Sequence, residues 1–357
     1  MIALPRLLSL DEIMEKFSFL DDYSEGCHPT ILEALARTNM SQQTAYGADD
    51  FSIRARELIR AHLGHADSNI FFVAGGTLAN LTIIASLLRP HEAIISAATG
   101  HIVSRETGAV EAVGHKILTV DKPCGKLAPE DVLSVLAQNA QAPHMVKPRL
   151  VYLSNATETG RIYTKSDLTD LAQVCRSHDL LLMVDGARLG AALCAADNDL
   201  TLADLAELTD VFWIGGTKAG ALIGEAIVIN RPEFAKDFAF HVKQRGALLA
   251  KGRLFGLQFQ ILFETDLFFN ASRYANDLAS KLSKGIVANG FALASQTQTN
   301  QIFPMLPNHL VKSLEADFKF YVWEPHGEDH ATLRLVTSWA TPEAQVDRFI
   351  AALSKRV

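Results

Sequence analysis

Residues 180–220, LLLMVDGARLGAALCAADNDLTLADLAELTDVFWIGGTKAG, decide the fold. Two apolar runs, Leu180–Val184 and Val211–Ile214, have the length and continuity of strands buried on both faces. Between them, Leu202, Leu205, Ala206 and Leu208 recur at helical spacing behind Thr201, a residue suited to start a helix. Strand, helix, strand at this spacing is a parallel pair joined by a crossover.

The same alternation extends outward from about residue 70 to residue 230. NIFFVAGG, EAIISA, HKILTV, RLVYLSN, LLLMVDGA, DVFWIGG and EAIVIN read as seven buried strands. TLANLTIIASLL, PEDVLSVLAQNA, SDLTDLAQVCRSH and the segment around LADLAELT read as the helices that cover them. Residues 233–265 read as a helical stretch dotted with Lys and Arg. The last ninety or so residues switch to helices and short strands such as DFKFYVWE and TLRLVTSW. The expected fold class is therefore α/β: a large domain on a mostly parallel seven-stranded sheet covered by helices, plus a smaller C-terminal α+β domain. We set the divisions at 1–45 for an N-terminal arm, 46–265 for the large domain and 266–357 for the small one.

Composition narrows the function. The 357 residues are 48% hydrophobic and 20% charged, against globular averages of roughly 45–50% and about 25%. Such a chain folds. Its 33 basic and 40 acidic residues give a net charge of -7, which leaves no basic field to recruit nucleic acid. Cys27, Cys124, Cys175 and Cys194 lie far apart, with neither zinc-ligand spacing nor a disulfide framework, which suits a reducing compartment such as the cytoplasm. The opening MIALPRLLSLDEIMEKF is too interrupted for a secretion signal, and no run of eighteen apolar residues suggests a membrane helix.

In an open parallel sheet, ligands bind beyond the carboxyl ends of the strands, so the polar residues just after each apolar run are the ones to weigh. After NIFFV comes Ala74-Gly75-Gly76-Thr77 and then a helix, where free backbone N–H groups and the helix dipole suit a phosphate. The plainer reading is a tight turn that needs glycine. After LLLMV comes Asp185, a carboxylate at the end of a buried strand, paired either with Arg188 three residues on or with a cationic ring nitrogen of a ligand. After DVFWI comes Lys218 between glycines, either a loop lysine in water or a desolvated amine able to bond a carbonyl. After EAIISA comes Thr99-Gly100-His101, whose imidazole could stack on an aromatic ring or do nothing. Phosphate loop, Asp and Lys on successive strands are together what pyridoxal phosphate requires: an anion cradle, a carboxylate for its pyridine nitrogen and an amine for its aldehyde.

These motifs resemble the pyridoxal-phosphate enzymes of the aspartate-aminotransferase fold (fold type I), and within them the low-specificity L-threonine aldolases of the beta-eliminating lyase group. The resemblance runs from FLDDYSEGCHP through AYGADD, FVAGGTLAN, TGHIV, LSNATETGRIY, VDGARLG, GGTKAG and KGRLFG to LRLVTSW. It implies that Lys218 holds the cofactor, Asp185 pairs with the ring nitrogen and His101 stacks on the ring. It places Gly75, Gly76 and Thr77 on the phosphate, and Arg188 and Arg334 on the substrate carboxylate, with Arg188 also beside the cofactor. Arg253 resembles an arginine that reaches the phosphate, often from a neighbouring subunit, and Tyr46 lies in a Tyr-Gly motif near the substrate. The implied reaction is cleavage of L-threonine, L-allo-threonine or other β-hydroxy-α-amino acids to glycine and an aldehyde, in a homodimer or homotetramer with sites between subunits. His101 is the first candidate for the base.

Two departures stand out. Gly75 occupies a position where many relatives have serine, and Ser154-Asn155-Ala156-Thr157-Glu158 replaces a Glu-Asn-Thr-His segment, so a histidine near the substrate side chain is missing. The alternatives are another pyridoxal-phosphate lyase or aminotransferase, or a non-catalytic binding subunit, against which intact Lys218, Asp185 and both arginines argue. The pairs His62/His65 and His326/His330 make no convincing metal site, so none is expected.

Overall fold

The computed structural model describes residues 16–65 and 67–354. The N-terminal apolar stretch weighed above as a signal lies outside the described residues.

In chain order the strands are β1 (Phe17–Ser18), β2 (Asn69–Val73), β3 (Glu92–Ala97), β4 (Lys116–Val120), β5 (Lys147–Ser154), β6 (Leu181–Asp185), β7 (Val211–Gly215) and β8 (Glu225–Ile229). Strands β2 to β8 form one sheet in the order β2-β8-β7-β6-β5-β3-β4. They are the seven apolar runs of the sequence. Neighbours from β7 through β4 are parallel, whereas β8 is antiparallel to both β2 and β7. The strand ends that carry Gly75, His101, Glu158, Asp185 and Lys218 consequently open on one edge, and β8 starts there with Glu225.

Strands β3, β6, β7 and β8 are buried at every position. Alternate side chains enter two different cores: Leu182 and Val184 pack on one face with Phe212 and Ile214, while Leu181 and Met183 pack on the other with Val211 and Trp213. Each fully buried aliphatic side chain contributes about 1.5–3 kcal/mol relative to exposure, which is why uninterrupted apolar runs are stable here. Thr164 and Asp167 form a reciprocal cap at the start of the helix Lys165–Ser177, and Thr201 and Asp204 do the same for Leu202–Leu208. These caps fix where two crossovers begin.

One expectation needs correction. Residues 233–265 are not one helical stretch but the helices Pro232–Ala235, Phe238–Gln244 and Arg253–Glu264, with a turn at Gly246, whose φ is 70°. The turn lets Ala247 enter the core beside Val242.

The C-terminal strands are β9 (Gln301–Ile302), β10 (Met305–Pro307), β11 (Phe318–Lys319), β12 (Tyr321–His326) and β13 (His330–Val336). β13 is central, pairing antiparallel with β9, β10 and β12. β1 pairs with β11, and Phe19 is buried in the same core as Phe318 and Phe349. The start of the described chain is thus tied to its end.

At the end of β6 the backbone of β7 comes so near that a Cβ on Gly186 would lie 1.7 Å from the carbonyl oxygen of Trp213. Gly186→Ala should therefore lower stability by about 1–3 kcal/mol or more, read as a fall in the thermal unfolding midpoint.

Candidate active site

Two adjoining cavities occupy the carboxyl edge of the sheet. One, of about 250 Å³, is lined by Gly75, Gly76, Thr77, His101, Asp185 and Lys218 among others. The second, of about 450 Å³, shares His101 and Lys218 and adds Tyr23, Glu158, Arg188 and Arg334.

The helix Gly76–Leu87 begins at the first cavity, so its leading N–H groups and its dipole face that space. A Cβ on Gly76 would lie 2.8 Å from Cη2 of Trp213, whereas one on Gly75 would meet nothing within 4 Å. Glycine at 76 is thus required by the indole beneath it. Glycine at 75 is not, and the serine of relatives would fit.

Asp185 is 3% exposed and accepts three hydrogen bonds: from Tyr152 Oη at 2.6 Å, Asn80 Nδ2 at 2.9 Å and the Ala187 N–H at 3.0 Å. Arg188, offered by the sequence as its structural partner, turns instead to Asp22, with Nε and Nη2 at 2.8 and 2.9 Å. Asp185 has no cationic side chain in ion-pair contact among the described residues, which leaves it available to a cationic ring nitrogen.

Behind Asp185 the network continues. Asn80 Nδ2 also donates to Glu106 Oε1 at 2.8 Å, Trp213 Nε1 donates to Asn80 Oδ1 at 3.0 Å, and Glu106 Oε1 lies 2.8 Å from Nδ1 of His101. With Glu106 accepting at Nδ1, the ring is held in one orientation and Nε2 is its remaining polar atom. Burial and the neighbouring Asp185 carboxylate push the Tyr152 hydroxyl far above its ordinary range, so it stays a donor.

Lys218 sits on a short 3-10 turn, Thr217–Ala219. The turn is anchored by Glu225, whose carboxylate accepts the Gly216 N–H and the Thr217 hydroxyl, each at 2.9 Å. Burial, reinforced by the nearby Arg188, holds the Lys218 amine well below the usual lysine range, and burial pushes Glu225 up. A lysine with a depressed pKa is more often neutral and therefore a better nucleophile toward a carbonyl.

Arg334 projects from β13, with Nε donating to Gln301 Oε1 at 2.9 Å and its guanidinium 5.6 Å from the Trp323 ring centre. Desolvation, together with Arg188, holds it at about 10. No carboxylate pairs with it among the described residues. A dry, uncompensated guanidinium fork beside Lys218 suits an incoming carboxylate. Arg188 reaches the same cleft with two of its donors already committed to Asp22.

Arg253 and Tyr46 are not brought into these cavities within one chain. Arg253 donates to the carbonyls of Ser41 at 2.6 Å and Thr38 at 2.8 Å. Tyr46 is half exposed, with Lys243 Nζ 4.9 Å from its ring centre. His62 stands 5.4 Å from Phe263 with His65 beyond the helix end, and His326 meets Thr332 at 2.6 Å. His65 borders a separate cavity of about 470 Å³ with Arg149, Arg176 and Asp210, and neither histidine pair lines the two cavities described above.

The structure adds Asp22, Asn80, Glu106, Tyr152, Glu158 and Glu225. Glu158 and Glu225 flank buried strands at the productive edge, so inspection of every strand end finds them. Tyr152 and Asn80 lie inside apolar stretches and read as core.

The profile of the beta-eliminating lyase family matches residues 19–308. The chain belongs to this family. It is 45% identical to the solved structure of Leishmania major threonine aldolase, with a TM-score of 0.94, covering 95% of this chain and 99% of that one. It is 33% identical over 336 residues to the low specificity L-threonine aldolase of Pseudomonas sp. (strain NCIMB 10558), or 91% of this chain and 93% of that protein. A mutant of Thermus thermophilus aspartate aminotransferase, 17% identical, shares the fold with a TM-score of 0.70 over 96% of this chain and 92% of that one. The cofactor of this family and fold is pyridoxal phosphate, and the residues present fit it: a helix start flanked by glycines, a buried carboxylate without a cation, and a desolvated amine.

Two outcomes follow from this geometry. Asp22→Ala strands Arg188 without its partner and should lower stability by about 3–5 kcal/mol, measured by denaturant unfolding. Gly75→Ser should fold as the parent does and bind pyridoxal phosphate more tightly, measured by fluorescence titration of the apoprotein.

Proposed function

We propose that this chain cleaves L-threonine, L-allo-threonine or related β-hydroxy-α-amino acids to glycine and the corresponding aldehyde. The observation that carries this reading is a buried amine, Lys218, between Asp185 on the cofactor side and the unpaired guanidinium of Arg334 on the substrate side.

Pyridoxal phosphate, when bound, supplies the electron-poor ring that accepts the electrons released at Cα. The protein's part is to hold and orient. Gly75, Gly76 and Thr77 would hold its phosphate, Lys218 would be the amine for its aldehyde, Asp185 the carboxylate for its ring nitrogen and His101 a flat neighbour for its ring. Arg334 clamps the substrate carboxylate, helped by what Arg188 still has free, so that the Cα–Cβ bond is the one aligned for cleavage.

The working protein is a homodimer or homotetramer. This is supported by Arg253 and Tyr46, which lie outside the two cavities of the chain's own site, and by Met40 and Phe240, which are 88% and 74% exposed. Its organisation is an arm over 1–45, a large domain over 46–265 and a small one over 266–357, which agrees with the separate C-terminal core. All four cysteines are free, which supports a reducing, cytoplasmic location. No described helix is long and apolar enough to cross a membrane.

The purified protein supplied with pyridoxal phosphate should release acetaldehyde from L-threonine, whereas Lys218→Ala should release none while keeping its far-UV circular dichroism. Turnover by the variant would remove Lys218 from its role.

A further inference from the structure

Resting on the threonine-cleavage reading, the question left open is which group takes the proton of the substrate's β-hydroxyl. His101 borders both cavities, but its Nδ1 is held by Glu106 at 2.8 Å, so Nε2 is the one ring nitrogen left to it.

Glu158 is placed differently. It follows β5 at the carboxyl edge and lines the substrate-side cavity with Lys218 and Arg334. Its Oε1 is fixed by two donors, the Ser154 hydroxyl at 2.7 Å and the backbone N–H of His101 at 2.9 Å. No side chain donates to Oε2 among the described residues, and no cation forms an ion pair with the carboxylate. One oxygen is thus anchored and the other is free within a cleft built for an amino acid. The segment that carries it is the one in which the histidine of relatives is missing.

We propose that Glu158 is the base that accepts the β-hydroxyl proton during cleavage. The O–H proton passes to Oε2, the O–H electron pair becomes the second carbon–oxygen bond of the aldehyde, and the Cα–Cβ pair stays with Cα. Cα is then protonated to give glycine and Glu158 gives up the proton it accepted, so the side chains return to their starting state. Substrate and products are isomers, so no oxidant or reductant is required.

The electrostatic surroundings suit the role. Burial pushes the Glu158 carboxyl above its ordinary 4.5, with Asp185 adding to this, while Ser154 and the nearby His101 ring oppose it. Arg105, Arg188 and Arg334 line the same cleft, and Tyr152 approaches from behind through Ser154. A carboxyl raised toward the working pH accepts a proton more readily than an ordinary one. Because its pKa is raised, the base form is lost as pH falls through that higher value, and cleavage should fall with it.

The test compares wild type with Glu158→Gln, Glu158→Asp and His101→Asn. Three quantities are read: kcat for L-threonine against pH, pyridoxal phosphate affinity, and exchange of the glycine Cα proton in D2O by NMR. Glycine exchange requires the cofactor, Lys218 and the carboxylate clamp but no hydroxyl proton. In Glu158→Gln, kcat should drop by about 10²–10⁴-fold and the acidic limb of its pH profile should vanish. Cofactor affinity and glycine exchange should stay at wild-type levels, Glu158→Asp should restore part of kcat, and His101→Asn should keep the acidic limb. The proposal is overturned if Glu158→Gln keeps kcat or the acidic limb, or if cleavage and glycine exchange fall together, which would mark a positioning role. Loss of the acidic limb in His101→Asn alone would return the role to the histidine. Wild type that exchanges glycine but releases no acetaldehyde overturns the substrate reading together with this one.

Discussion

Two cations, Arg188 and Lys218, are held out of water in one small space, and much of the site is arranged to compensate them. Burial alone would push Asp22 up, but Arg188, Lys218 and Asn300 more than reverse this and hold it below its ordinary range. Asp22 comes from the N-terminal segment, Arg188 from the turn after β6, and Asn300, 2.9 Å from Asp22, from the start of the C-terminal sheet. One ion pair therefore joins three distant parts of the chain. An isolated charge at this depth is costly, so the docked N-terminal segment, through Asp22, is part of what stabilises the site. The pairing of β1 with β11 and the burial of Phe19 bring it there.

The compensation is selective. Asp22 takes up the charge of Arg188, while Glu225 secures the backbone around Lys218. Arg334 has a glutamine and a tryptophan beside it and no carboxylate. Among the described residues, Arg334 on the substrate side has no carboxylate in ion-pair contact and Asp185 on the cofactor side has no cation. That asymmetry matches a ligand with an anionic group at one end and a protonated ring nitrogen at the other. The network from Tyr152 and Asn80 through Glu106 to His101 keeps both catalytic faces oriented without adding charge where the ligand sits.

Much of this was legible in the chain. Strands β6, β7 and β8 are almost wholly apolar because both of their faces are covered, and the polar residues at the carboxyl edge mark where ligands bind. That rule singles out Gly76, Asp185 and Lys218 as residues to weigh, and only their conjunction points to one cofactor. Tyr152 and Asn80 were illegible, since an aromatic residue in a buried strand and an amide on a helix look like packing until their partners are known. Of the two partners left open for Asp185, Arg188 is three residues away in sequence, yet it pairs with Asp22, 166 residues away. The helical stretch 233–265 was over-extended because periodicity alone does not register the turn at Gly246.

What the sequence determined by itself is local: burial pattern sets the strands, hydroxyl and carboxylate caps set the helix starts, and glycines mark where backbone or indole comes close. Those are properties of a residue and its near neighbours. Which carboxylate answers which cation, and which polar atom is left without a partner, was decided only by the tertiary structure. Ion pairing and desolvation depend on distance and burial in space, and residues 22, 106, 158, 188, 225, 300 and 334 acquire theirs only when the sheet, the N-terminal segment and the C-terminal strands have closed on one another.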